Sequence, residues 1–292
     1  MLEECDVVND LPSAVIETLR NFLKEDIRIG DLTSNVIVPD DAIGSARVYA
    51  KSRAVLAGVK ETTAIAELTG LDYEVFAFEG NWVGPQEPIV GLRGLARTLL
   101  GVERVCLNII QRMSGIATKT YRMVQAAREM NPNVRVAATR KTTPGFRYFE
   151  KRAVQVGGGD SHRYALDDMV LIKNNHIAVV GSASDAVKAA REGVSFSKKI
   201  SCEVRTLQEA IEAIEAGADI VLLDNFTAQD VGGVHEVLTQ REMRHKVLLE
   251  ASGGINEDNI KDYAQSGVDI ISSGALTHSY DSADFNMLLS FT

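Results

Sequence analysis

The sequence predicts an α/β protein in which a small sheet-bearing N-terminal part precedes a parallel α/β barrel. Three observations carry this. Six short apolar runs recur in the second half of the chain, at residues 134–138, 169–172, 200–204, 220–223, 247–251 and 269–272. Helical patterns such as 206–216 and 256–265 lie between them, with Gly193, Gly217 and Gly267 standing where helices would close. Strand, helix and strand in this cadence give a parallel sheet with right-handed crossovers. Finally, no GxGxxG fingerprint accompanies the strands, which favours a closed or nearly closed barrel over an open doubly wound sheet.

The N-terminal part is read element by element. Residues 11–25 place Leu11, Val15, Leu19 and Phe22 at spacings of three and four, with Ser13 near the start, and predict an amphipathic helix. The stretch EDIRIGDLTSNVIVPDD has turn signals at Gly30 and at Pro39, with a short β-branched run, a strand signal, between them. Residues 44–58 and 73–90 are strand-like, punctuated by Trp82, Gly84 and Pro85, and predict a small sheet domain. Residues 95–113 are helical in pattern and carry Glu103 and Arg104 side by side. The character of the chain changes after Gly115.

Composition sets limits. The 292 residues, 45% of them hydrophobic, suffice for a large core. No apolar run approaches the roughly 20 residues that cross a bilayer, and the opening MLEECDVVND lacks a signal-peptide pattern, so a cytoplasmic protein with no membrane partner is expected. A formal net charge of -9 argues against a large nucleic-acid surface. Cys5, Cys106 and Cys202 are widely spaced and odd in number, which predicts reduced thiols rather than disulfides or a zinc site.

Against that acidic background, residues 139–176 are basic. TRKTTPG, GGGDSHR and LIKNNH together hold Arg140, Lys141, Arg163 and Lys173, with Arg147, Lys151 and Arg152 between them. Two histidines join them, and only four acids oppose them. A basic pocket in an acidic protein suits a small polyanion, because Arg offers a planar fork and Lys a compact charge. The plainer alternative is a solvated basic surface. Placement weighs against it: Arg140 and Lys141 follow one predicted strand directly, and Lys173 follows the next.

The other strand ends are polar too. Glu203, Asp224 with Asn225, Ser252 with Gly253 and Gly254, and Ser273 with Gly274 each follow or close a strand, where α/β barrels build their sites. Each has a plainer reading alone: Asp224 could cap the helix starting near Thr227, Glu203 could pair with a lysine, and the glycines could form tight turns. Their joint placement favours a site. The loops SGGI and SGAL follow the last two strands, where a phosphate can rest on backbone N–H groups. Glu203 and Asp224 are hard oxygen donors suited to Mg²⁺. Gly157, Gly158 and Gly159 could be a hinge or the floor of a ligand site, and the adjoining His162 and Arg163 favour the floor.

Taken in order, TRKTTPG, GGG followed by HR, LIKNNH, LLDN, EASGGI and SGALTHS resemble the motifs of the quinolinate phosphoribosyltransferase family, with SGIAT and the pair Glu103 and Arg104 matching as well. The resemblance spans about residues 30–278. It implies an N-terminal α/β sandwich domain over residues 1–113, with the tail 277–292 packed back on it, and an α/β barrel of six or seven strands over 114–276. It also implies the conversion of quinolinate and phosphoribosyl pyrophosphate to nicotinate mononucleotide, pyrophosphate and carbon dioxide, with Mg²⁺, by a homodimer or a dimer-based hexamer. Arg140, His162 and Arg163 would surround the quinolinate carboxylates, near Thr139, with Arg104 reaching in from a neighbouring subunit. Lys141 and Lys173 would lie between the substrates, Glu203 and Asp224 at the ribose hydroxyls or the metal. The loops Ser252, Gly253, Gly254 and Ser273, Gly274, Ala275 would take the 5′-phosphate, and His278 would face the pyrophosphate. Two positions depart from the family pattern, Ser161 before His162 and Asn174 after Lys173.

Two other functions compete. A transferase acting on nicotinate, a monoanion, needs fewer cations than this stretch supplies. A catalytically silent binding protein on the same barrel would not need cations and carboxylates at every strand end.

Overall fold

A computed structural model describes residues 11–291, so Cys5 lies outside the described residues. The chain divides into two compact units. One takes the chain up to Lys119, Pro144–Gly157 and the segment from Tyr280 onward; the other takes Thr120–Thr143 and Gly158–Ser279.

The first unit is built on an antiparallel sheet. Helix α1 (Ser13–Ile27) buries Val15, Ile16, Leu19 and Leu23; Val15 and Leu19 belong to the predicted stripe, whereas Phe22 is only half-buried and Ile16 and Leu23 take its place. The next segment departs from expectation. The β-branched run before Pro39 is a helix, α2 (Leu32–Ile37), because the Asp31 carboxylate accepts the backbone N–H groups of Thr33 and Ser34 and so caps its first turn. Local capping overrides β-propensity here. Strands β1 (Ile43–Ala50) and β2 (Ala54–Val55) follow, then helix α3 (Val59–Thr69), then β3 (Asp72–Val75), β4 (Trp82–Val83) and β5 (Pro88–Leu95). β1 and β5 pair antiparallel from Ile43 opposite Leu95, and β3 flanks β5. The last strand, β12 (Phe285–Phe291), returns to the other edge of β1, with Val48 opposite Met287. The chain's end thus belongs to the N-terminal sheet.

Helix α4 (Ala96–Met130) has 35 residues, about twice the predicted length, and runs through the sequence position taken as the domain boundary. Gly115 does not break it. Its missing side chain admits another segment: a Cβ there would lie 2.3 Å from the carbonyl oxygen of Asp281.

The second unit holds β6 (Arg135–Ala137), β7 (Val170–Ile172), β8 (Ile200–Val204), β9 (Ile220–Asp224), β10 (Leu248–Ser252) and β11 (Ile270–Ser272), all six of the expected strands. They form one parallel sheet in the order β6-β11-β10-β9-β8-β7. No ladder joins β6 to β7, so the barrel is open, although Asp160 bridges Ala137 as a single further rung. Register sorts the side chains by face. Cys202, Val221, Ala251 and Ile271 point one way, apolar and buried, whereas Glu203, Leu222, Glu250 and Ile270 share the other face. The intervening helices α6 (Asn174–Val180), α7 (Ala183–Gly193), α8 (Leu207–Glu215), α9 (Ala228–Gln240), α10 (Ile260–Gln265) and α11 (Ala275–His278) complete the alternation.

The basic stretch does not form one pocket. Arg147, Lys151 and Arg152 lie on helix α5 (Arg147–Val156), which belongs to the first unit. Its apolar face buries Phe149, Ala153 and Val154, and Arg152 pairs with Glu61 at 3.0 Å and with Glu79. These three of the seven cations fall in the first unit, and Arg152 is engaged there by two carboxylates. Among the described residues, no helix is long and apolar enough to cross a membrane. The thiols of Cys106 and Cys202 are free and buried, and desolvation raises both to about 12.

Candidate active site

The strand ends of the second unit carry the polar groups that the sequence indicates. Directly after β6, Thr139 Oγ1 accepts the Lys141 N–H at 3.0 Å, and Arg140 O accepts the Thr142 N–H at 2.9 Å. This tight turn leaves Lys141 exposed. Thr277 Oγ1 donates to Lys141 O at 2.7 Å, and a Cβ on Gly274 would stand 2.8 Å from Lys141 Cδ and 2.9 Å from His278 Nε2. Lys141, Gly274 and His278 are thereby brought together, although they lie more than a hundred residues apart in part.

After β7, Lys173 faces the end of β8, its Nζ 3.6 Å from Glu203 Oε2. Glu203 is 8% exposed, so the lysine answers a nearly buried carboxylate. Asp224 ends β9 one register step further along the same face. It does not cap the following helix: Thr227 does, in a reciprocal capping box with Asp230. Asp224 instead accepts from Asn225 Nδ2 at 2.8 Å.

The two glycine loops are built for close backbone approach. Gly253 has φ +100, and a Cβ there would lie 2.3 Å from Asn225 Oδ1. Ser273 is buried and donates its hydroxyl to Ile255 O at 2.6 Å, tying the SGAL loop to the SGGI loop. The N–H groups of Gly253, Gly254 and Gly274 find no acceptor among the described residues. Such a cluster of donors is what an anionic oxygen requires.

The segment after Gly159 carries the third cationic group. Asp160 Oδ1 accepts the His162 N–H at 2.8 Å, and His162 adopts φ +52, uncommon outside glycine. His162 Nε2 lies 3.4 Å from Glu250 Oε2. Arg163 Nη1 donates to Met169 O at 3.3 Å. Burial, then the neighbouring Arg140 guanidinium, depress the pKa of Arg163, while Glu250 and Asp168 pull it back. Arg140 has a buried Nε without an acceptor among the described residues. His162 and Arg163 also line a cavity of about 570 Å³ with Arg135, Ile220, Leu248 and Ile270, which begin their strands, so this cavity opens at the end of the sheet opposite Lys141 and Lys173.

The sequence reading gave no role to Glu250 or Asp160, and named Asn225 only as a polar neighbour of Asp224. Glu250 stands in the middle of an apolar strand, LLEAS, and a lone carboxylate at such a position is the signal that could have exposed it. Arg104 is exposed on α4, in the first unit. Among the described residues no three His, Cys, Asp or Glu side chains form a metal-binding group.

Fold and site together define a two-unit α/β protein that gathers cations, carboxylates and free backbone donors at the ends of parallel strands. Residues 31–114 match the N-terminal domain of quinolinate phosphoribosyl transferase, and residues 116–288 match its C-terminal domain. The chain belongs to the quinolinate phosphoribosyl transferase family. It is 45% identical to a probable nicotinate-nucleotide pyrophosphorylase (carboxylating) of Archaeoglobus fulgidus, over 88% of this chain and 97% of the relative. A probable nicotinate-nucleotide pyrophosphorylase (carboxylating) of Methanothermobacter thermautotrophicus is 41% identical, over 94% and 98%. Among solved structures, the nicotinate-nucleotide pyrophosphorylase of Francisella tularensis superposes with a TM-score of 0.88 at 34% identity, covering 98% of this chain and 100% of that one. Human nicotinic acid phosphoribosyltransferase, 13% identical with a TM-score of 0.58, shares the fold alone.

Proposed function

We propose that the protein is a nicotinate-nucleotide pyrophosphorylase (carboxylating) of de novo NAD synthesis, joining quinolinate to phosphoribosyl pyrophosphate. The observation that carries the choice of a dianionic substrate is electrostatic. Arg140 and Arg163 repel one another, the buried carboxylate of Glu250 acts on Arg163 in the opposite sense, and Arg140 Nε has no acceptor among the described residues. A dicarboxylate stabilises such an arrangement better than a monocarboxylate, because a second carboxylate engages the second fork. Nicotinate is therefore the weaker candidate.

In this reading Arg140 and Arg163 hold the quinolinate carboxylates beside Thr139, His162 shapes the turn that presents Arg163, and Lys141 and Lys173 lie between the two substrates. Glu203 and Asp224 receive the ribose hydroxyls. The loops Ser252, Gly253, Gly254 and Ser273, Gly274, Ala275 receive the 5′-phosphate on the N–H groups of Gly253, Gly254 and Gly274, the N–H groups of Ser273 and Ala275 being engaged within the protein, and His278 faces the pyrophosphate. The Ser273 hydroxyl is occupied by Ile255, so its contribution is the loop's shape. Residues 114–276 are the catalytic domain of the proposal and residues 1–113 with 277–292 the supporting one, helix α5 excepted.

The pyridine nitrogen attacks the anomeric carbon as the pyrophosphate leaves. The ring nitrogen, now cationic, stabilises the electron pair left on C2 when the 2-carboxylate departs as carbon dioxide, and a proton from solvent then completes C2. No covalent nucleophile is needed: the side chains position two anions and offset the charge on the leaving group. Glu203 and Asp224, two oxygen donors without a third carboxylate, histidine or cysteine ligand among the described residues, fit Mg²⁺ held largely by water and substrate phosphates, where it would neutralise pyrophosphate.

The proposal extends to a homodimer, or a hexamer of dimers, in which Arg104 completes the neighbouring subunit's site. It also places the protein in the cytoplasm, a reducing location that free thiols suit. The assay that tests it supplies Mg²⁺, phosphoribosyl pyrophosphate and quinolinate, and measures mononucleotide and carbon dioxide in equal amounts. Mononucleotide formed from nicotinate without carbon dioxide would replace the reading by its rival.

A further inference from the structure

We infer that Glu250 is a positioning residue which orients His162 with a ring proton on Nε2, and through it fixes the turn that presents Arg163 to the ring substrate. The geometry sets the tautomer. His162 Nδ1 accepts the Arg163 backbone N–H at 2.8 Å, so that nitrogen carries no proton. The ring's hydrogen is then on Nε2, which points at Glu250 Oε2, 3.4 Å away. An imidazolium at this place would set an N–H against the N–H of Arg163. His162 thus acts as a strut between strand β10 and the segment of Arg163, and not as a third cation.

The surroundings explain why the strut has to be a carboxylate on a strand. Glu250 is fully buried in mid-strand, level with Leu222 on one side and Ile270 on the other, so its backbone cannot shift without disturbing two ladders. His162 is held at its other end by Asp160, which accepts its N–H and is itself bridged to Ala137. Its left-handed φ is kept by these three contacts together. Glu250 Oε1 has no hydrogen-bond partner among the described residues, and the carboxylate acts electrostatically on Arg163. A carboxylate kept buried at this expense, on the inner face of the sheet and outside every motif position assigned to a substrate, is better explained by orientation than by packing.

The inference rests on the proposed function for its kinetic arm only. In protein labelled with ¹⁵N-histidine, long-range ¹H–¹⁵N correlation at neutral pH reads the His162 tautomer, with His162→Gln supplying the assignment. The Nε2-protonated form is expected in the wild type and in Glu250→Gln, whose amide oxygen still accepts. Glu250→Gln should keep the KM for quinolinate within about threefold, whereas Glu250→Leu should raise it at least about tenfold and leave the KM for phosphoribosyl pyrophosphate within about twofold. An imidazolium or an Nδ1-protonated ring in the wild type would overturn the inference. So would a Gln variant impaired in quinolinate binding by tenfold, or a folded Leu variant with an unchanged KM. A wild type that turns over no quinolinate would instead sink the functional reading, with the tautomer still deciding the role of Glu250.

Discussion

Lys173 Nζ stands 3.6 Å from Glu203 Oε2, across the ends of two neighbouring parallel strands, and the lysine is half exposed while the glutamate is nearly buried. The pair aims a mobile cation from a fixed carboxylate into the strand-end region. Removing the lysine exposes nothing apolar, so Lys173→Ala should keep its circular dichroism spectrum and lose at least about tenfold in kcat/KM, as expected for one charge-assisted hydrogen bond. Lys141→Ala should behave alike. A folded variant with wild-type kcat/KM at either position would remove that residue from the site.

Arg163 tests geometry against charge. Arg163→Lys keeps the charge and loses the planar fork, so calorimetry should show quinolinate binding weakened by about tenfold, with a clear dependence on salt. Equal affinity would mean that charge alone is recognised there.

Arg104 tests the assembly. If it serves the neighbouring subunit, a mixed dimer of Arg104→Ala and Lys141→Ala chains, purified through two tags, has one intact site and one doubly damaged. About half of wild-type activity is expected from a count of intact sites. A mixed dimer as inactive as its parents would show that Arg104 serves its own subunit or none.

The first unit holds a pH-sensitive carboxyl. Desolvation raises Glu61 to about 7, outweighing the pull of Arg152, whose own pKa is raised by Glu61 and then by Glu79 against its burial. The folded state therefore binds more protons than the unfolded state between pH 4.5 and 7, and this group's contribution to stability falls as pH rises through that window. The size of the effect is roughly 3 kcal/mol. Glu61→Gln should flatten the profile, gaining melting temperature relative to wild type at pH 8 compared with pH 5. An unchanged difference between the two pH values would contradict the raised pKa.

Much of the second unit was legible because its strands are continuous apolar runs that each occur once per βα unit, and β8 is found at its expected limits. The strand-end residues followed from position alone. Periodicity could not reveal α2, because its helix is nucleated by one side chain, Asp31, against β-branched residues. Nor could it show that Arg147, Lys151 and Arg152 leave the basic cluster, since a helix between two strands gives no sign of which core it joins. The contact of His162 with Glu250, 88 residues apart, depends on the barrel's curvature and on a left-handed backbone that no local pattern marks.

The central claim is that the strand-end cations select a dianion and release one of its carboxylates. Its most direct test uses quinolinate labelled with ¹³C in the 2-carboxylate, incubated with the protein, Mg²⁺ and phosphoribosyl pyrophosphate, against nicotinate in parallel. The account predicts labelled carbon dioxide and nicotinate mononucleotide in equal amounts from quinolinate, with far slower turnover of nicotinate. Comparable turnover of nicotinate, or mononucleotide formed from quinolinate with the label retained, would contradict it.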